Sequence, residues 1–124
     1  MSDWPAADDR PMILTVALPG AAASGSTVFG GWIMSQFDLA AGRKGKAATG
    51  PCVIRAVQEM VFHAPLHTGS DFAVYAREAG HGRTFFTLEL AGIADPDGQR
   101  IPIATARFAM VAVDEAGASR PLVA

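Results

Sequence analysis

The sequence predicts an α+β domain in which an antiparallel sheet wraps one helix. Three observations carry this. A single stretch, Trp32 to Ala41, reads as a helix, and its apolar side chains point all round the axis rather than along one stripe, as in a buried helix. Everything after Gly50-Pro51 reads as strand and turn. Three of those strands are joined by short turns, which makes them antiparallel neighbours. The order is strand, helix, then four strands. Such a sheet keeps a second face and open edges, so association with further copies is expected.

The first strand is Met12 to Leu18, a run rich in branched residues that Pro19-Gly20 closes. Small residues from Ala21 to Ser26 make a loop into the helix, which starts at Gly30-Gly31. Gly42 to Gly50 carries Arg43, Lys44 and Lys46 and reads as a helix end followed by a surface loop; cations there suit the negative end of the helix dipole. Cys52 to Phe62 follows period two: Arg55, Val57, Glu59, Val61 and His63 on one face, Cys52, Ile54, Ala56, Gln58, Met60 and Phe62 on the drier one. Pro65 and Thr68-Gly69-Ser70 form a loop, Phe72 to Ala79 the next strand, and Gly80-His81-Gly82 a tight hairpin connection. Arg83 to Ile93 alternates again, Asp95-Pro96-Asp97-Gly98 is a turn, and Ile101 to Asp114 is the last strand. Pro102 lies near its start, where a missing N–H does least harm. Residues 1–11 read as a flexible tail, 12–115 as one domain and 116–124 as a C-terminal tail.

Composition narrows the function. With 124 residues the chain holds one core. A formal net charge of -2, with no Lys/Arg run, gives no footing for nucleic acid. No apolar stretch has the length of a membrane span, and Met1 to Arg10 has no signal-peptide core, so a cytoplasmic protein without membrane partners is expected. A single cysteine, Cys52, excludes an internal disulfide.

The residues able to do chemistry lie at the helix. Gly30 and Gly31 stand where the first N–H groups have no internal partner, and glycine leaves them open to a carbonyl oxygen. Asp38, a poor helix former inside an apolar run, is expected to be a carboxylate held inside the protein. It lies two turns after Gly31 on nearly the same face, but seven residues rise roughly 10 Å. One reacting carbon must lie ~3 Å from both donor and base, which two antiparallel helices across a dimer axis achieve better than one helix. Such a pair supports acyl transfer to water, with Asp38 as general base or nucleophile. The plainer reading is that the glycines permit close helix packing and Asp38 bonds a neighbouring backbone.

The run Phe29-Gly30-Gly31-Trp32-Ile33-Met34-Ser35-Gln36-Phe37-Asp38 resembles the signature of hotdog-fold acyl-CoA thioesterases, the YciA type in particular. The likeness continues through Met60 to Pro65, Gly69-Ser70-Asp71, Tyr75-Ala76-Arg77, Gly82-Arg83-Thr84 and Val111 to Asp114. It implies a hotdog fold, a long central helix in a five- to six-stranded antiparallel sheet, assembled as a homodimer and further into tetramers or hexamers. It implies an acyl-CoA substrate and no cofactor or metal. The essential carboxylate falls on Asp38 and the oxyanion-binding amides on Gly30 and Gly31. Two positions depart: Thr27 stands where the family usually has Asp or Asn, and Ala64 where Arg or Lys is common. For CoA, Arg83 and Thr84 are the best phosphate contacts, with His63 and His81 as helpers. Phe29, Trp32 and Met34 are candidate pocket residues, with Thr27 a further substrate contact.

Other signals carry less. Gly20 to Thr27 has P-loop glycine spacing, but Ser26 replaces the lysine and no parallel βαβ context exists. His63, His67 and His81 lack metal-ligand spacing. Cys52 reads as a small core residue, and Phe85 and Phe86 as strand packing. A rival reading is a hotdog protein that binds acyl-CoA without turnover, which Thr27 favours. A hydratase of the same fold would need a histidine in the helix, and there is none.

Overall fold

The computed structural model describes residues 4–122. Strands β1 (Ile13–Val16), β2 (Ala22–Ser24) and β3 (Thr27–Val28) precede helix α1 (Gly30–Thr49). Strands β4 (Cys52–Phe62), β5 (Asp71–His81), β6 (Phe85–Ala94) and β7 (Ile101–Ala112) follow it. Five of them form one antiparallel sheet in the order β1-β5-β6-β7-β4, and β2 and β3 make a separate hairpin. The helix lies across one face of the large sheet, as expected.

Alternation builds the core. Phe86, Leu88 and Leu90 of β6 lie opposite Met110, Phe108 and Ala106 of β7, and all six are buried on the helix side. Ile33, Phe37, Ala40, Ala41 and Gly45 of α1 meet them. Their spacing of three and four residues is one stripe of a helix. Gly92 is needed here: a Cβ would lie 2.6 Å from the Phe72 ring and 2.9 Å from Phe37. Strand β6 thus passes directly beneath two packed aromatic rings.

Several elements differ from expectation. The helix does not end near Ala41 but runs to Thr49. Gly42 and Gly45 are poor helix formers, yet packing overrides propensity, because a Cβ at Gly45 would run into Cys52 Sγ and the Phe86 ring. Gly50, at φ 89°, ends the helix with its N–H on the Lys46 carbonyl. The expected loop at Ala21 to Ser26 is a 3-10 turn at Pro19–Ala21 followed by the β2–β3 hairpin.

Strand β4 does not alternate cleanly. Its pairing with β7 slips between Ile54 and Ala56 and again between Gln58 and Val61, where Glu59 takes φ 52°. Between the slips Val57 comes to lie opposite buried Phe108, on the helix side, and Gln58 opposite exposed Arg107. After the second slip Phe62 lies opposite buried Ala104, on the helix side again.

The segments expected as tails are engaged where the structure describes them. Trp4 packs on Ala73, Tyr75 and Ile93, on the sheet face away from the helix, and the Arg77 guanidinium lies 4.4 Å from its ring. Arg120 donates to the carbonyls of Val113, Thr49 and Pro51, fastening the C-terminal segment over the end of α1. Leu122 packs on the core, and its N–H bonds the Arg83 carbonyl. Residues 1–3 and 123–124 lie outside the described residues.

Candidate active site at the helix start

Helix α1 begins bare. Phe29 precedes it in extended backbone, φ -74° and ψ 148°, and no side chain caps the first turn. Trp32 N–H reaches the Phe29 carbonyl, but those of Gly30 and Gly31 have no partner among the described residues. Two exposed donors therefore stand at the positive end of a helix of 20 residues.

Packing within the chain does not require glycine at Gly30. A Cβ there meets only the Phe62 ring, at an ordinary 3.5 Å, whereas at Gly31 it meets the Phe29 ring at 3.3 Å. Gly45 is different, since an added Cβ there collides with its neighbours. Packing within the chain therefore does not account for glycine at position 30.

The helix start is a ridge between two hollows. A cavity of about 390 Å³ is lined by Val28, Gly30, Ile33, Phe62, His63 and Leu66, with Ala64 and Pro65. A second, about 370 Å³, includes Val16, Leu18, Phe29, Trp32 and Gln36. The structure thus brings Gly30 and His63 to one cavity and puts Phe29 and Trp32 on the other. His63 is tied on two sides: Nε2 shares a hydrogen bond of 2.7 Å with Thr105 Oγ1, and its N–H reaches the Ile103 carbonyl. Thr27, half-buried, pairs with Ser24 and bridges to His67, and lines neither cavity. Ser26 Oγ and His67 Nδ1 lie 2.9 Å apart beside it, a contact that no sequence spacing pointed to.

Asp38 is not buried, contrary to expectation: it is exposed on the single chain, and its carboxylate has no partner among the described residues. The reason is geometric. The sheet covers the stripe from Ile33 to Gly45, so the opposite side, with Met34 42% and Leu39 57% exposed, is left uncovered. Apolar residues all round a helix do not say whether its own sheet or another molecule covers each side. Strand β4, at the sheet edge, likewise exposes Val53, Val57, Val61 and Phe62.

Arg83 and Thr84 lie in the β5–β6 connection at the far end of α1, and Gly80 and His81 belong to β5 rather than to the turn. Arg83 lines a cavity of about 460 Å³ with Ala48, Thr49, Glu78, His81 and Leu122. With a rise of ~1.5 Å per residue, the two ends of α1 are roughly 28 Å apart. One chain therefore does not bring Arg83 to Gly30. At that end Arg120 covers the last helix carbonyl, that of Thr49, and the Pro51 carbonyl beyond it, which offsets the negative end of the dipole. Burial pushes the nearby Cys52 thiol up, and Arg120 opposes this in part. Sequence reasoning missed Phe62 and Arg120 as neighbours of the two helix ends. The bulges that place Phe62, and the hydrogen bonds of Arg120, leave no periodic trace.

Among the described residues no helix is long and apolar enough to cross a membrane. Residues 25–101 match the thioesterase superfamily. The acyl-CoA thioester hydrolase YciA of Salmonella typhimurium is 33% identical over 117 residues, covering 90% of this chain and 88% of that protein. The hexameric thioesterase of Yersinia pestis superposes with a TM-score of 0.90 at 31% identity, over 94% of this chain and 98% of that one. A hexameric hotdog fold thioesterase of Campylobacter jejuni does so with 0.87 at 25%, over 93% and 91%. With its helix laid across a five-stranded antiparallel sheet and this match over most of its length, the chain belongs to the thioesterase superfamily and has the hotdog fold.

Proposed function

We propose that the protein hydrolyses acyl-CoA thioesters to a free carboxylic acid and CoA, at sites built between two copies of the chain. The observation that supports this is the pair of unpartnered amides at Gly30 and Gly31, with Gly30 lining an apolar cavity and packing leaving it free to be larger. The two N–H groups donate hydrogen bonds to the thioester carbonyl oxygen and stabilise it as negative charge develops. Asp38 of the facing copy removes a proton from water, which adds to the carbonyl carbon. The intermediate collapses with loss of the CoA thiolate, which takes up a proton. Attack by Asp38 itself, through an anhydride, is the other form of the same step. Water is the only co-reactant, and neither metal nor cofactor takes part.

The geometry of α1 supports a shared site. Setting Gly31 against Asp38 of an antiparallel copy centres the contact on Met34 and Ser35, the uncovered side of the helix. In that arrangement the second half of each helix overhangs the start of the other. From Asp38 to Thr49 is roughly 16 Å at ~1.5 Å per residue. The arm joining the CoA sulfur to its phosphates has the length of about four extended residues, ~15 Å. Arg83 and Thr84 of the copy that supplies Asp38 thus stand within reach of phosphates whose thioester lies on Gly30 of the other. His63, Phe29 and Trp32 line the hollows beside the thioester. The dimer is the smallest complete unit, and tetramers or hexamers assemble from it in the cytoplasm.

Release of free thiol from a panel of acyl-CoAs tests this, with Asp38→Asn as the control that keeps the shape and removes the base. Activity undiminished in that variant rejects the mechanism. Binding without turnover is the second reading; Thr27, which cannot ionise, favours it. It predicts CoA-ester binding without thiol release, and a gain of activity in Thr27→Asp.

A further inference from the structure

We infer that Phe62 sets the acyl-chain length the site accepts, by standing across the mouth of the cavity beside Gly30; this rests on the thioesterase reading above. Inside, the cavity is walled by carbon, from Val28, Ile33, Ala64, Pro65 and Leu66. Its polar features are the Gly30 backbone and His63, whose Nε2 is taken up by Thr105. A thioester held on the Gly30 amide therefore has one dry space beside it for an apolar chain.

Phe62 is the large side chain at that opening. A methyl group at Gly30 would meet its ring at an ordinary contact distance of 3.5 Å, so ring and amide border the same space. Phe62 is 48% exposed although it lies on the helix side of the sheet, opposite fully buried Ala104. The second bulge of β4 returns it to that side, with Glu59 held at φ 52° to make the turn. Bulges beside active sites commonly re-aim a side chain in this way. The ring stands outside the core cluster and lines the cavity, so its bulk bears on what enters. A short acyl chain fits beneath it; a long one must displace it.

Two variants test the assignment against acyl-CoAs from two to sixteen carbons, with oligomeric state checked by size-exclusion chromatography. In Phe62→Ala, kcat/KM for chains two methylenes beyond the wild-type optimum rises about fifteenfold relative to shorter ones, since each further buried methylene is worth about fourfold. Phe62→Trp moves the optimum the other way. An unchanged optimum in both variants, a uniform loss over all chain lengths, or dissociation of the Phe62→Ala assembly overturns the assignment. A wild-type protein that cleaves no acyl-CoA in the panel refutes the thioesterase reading itself, and the assignment with it.

Discussion

A site shared between copies makes a prediction that no single-chain site shares: two dead variants revive each other. The first is Asp38→Asn, which removes the base. The second is Gly30→Pro, and the backbone makes it a clean deletion. Gly30 is the first helical residue, and its N–H bonds nothing within the described residues. Proline is accepted at that position because the missing N–H has no helical partner. The residue before a proline must be extended, and Phe29 already is, at φ -74° and ψ 148°. Losing one oxyanion donor costs about 10²–10³ in kcat. Losing the base costs about 10²–10⁴. In an equal mixture formed by co-expression, about half of the pairs contain one of each, and one of the two sites in such a pair is intact, so about a quarter of wild-type activity returns. Thiol release from the co-expressed and the separate proteins measures it. A co-expressed preparation no more active than the average of its components refutes the shared site.

Other outcomes follow from the rest of the fold. Gly45→Ala lowers the urea midpoint, because overpacking against Cys52 and Phe86, about 1–3 kcal/mol, outweighs about 1 kcal/mol of helix propensity; an unchanged midpoint contradicts the packing argument. Arg83→Ala raises KM for acyl-CoA about tenfold with kcat preserved, the scale of one charge-assisted hydrogen bond, whereas a fall in kcat alone assigns Arg83 a different role. The pH midpoint of the reaction of Cys52 with iodoacetamide lies above that of a free thiol, since burial disfavours its thiolate. In Arg120→Ala the pH midpoint of that reaction moves higher, as the opposing cation is gone; movement downward contradicts the assignment.

The sequence was most legible where one physical rule acts alone. Period two marked β4 and β6 close to their observed bounds, the turn at Asp95 to Gly98 set off β7, and the glycines marked the start of α1. It was misleading where tertiary contact overrides local preference. Three glycines between Gly42 and Gly50 argue for a helix end, but Gly45 exists to let α1 approach Cys52 and Phe86. The C-terminal segment reads as polar and loose, yet Arg120 holds it through backbone carbonyls that composition cannot encode. For the site, chemistry pointed to Gly30, Gly31 and Asp38 together. Exposure of Asp38 was hidden, because a residue uncovered by its own sheet and one covered by another molecule carry the same pattern. Clustering of Gly30 with His63 depends on two register slips in β4 that alternation alone would not suggest.

The uncovered carboxylate on α1 has a bearing on how turnover scales with protein in the tube. A solitary chain holds its acid and its free amides some two turns apart on the same rod. If the site is shared as proposed, dilution below the dissociation constant of the pair silences the protein, and specific activity falls as the solution is thinned. On reconcentration, rates recover at the pace of encounter between chains rather than of folding.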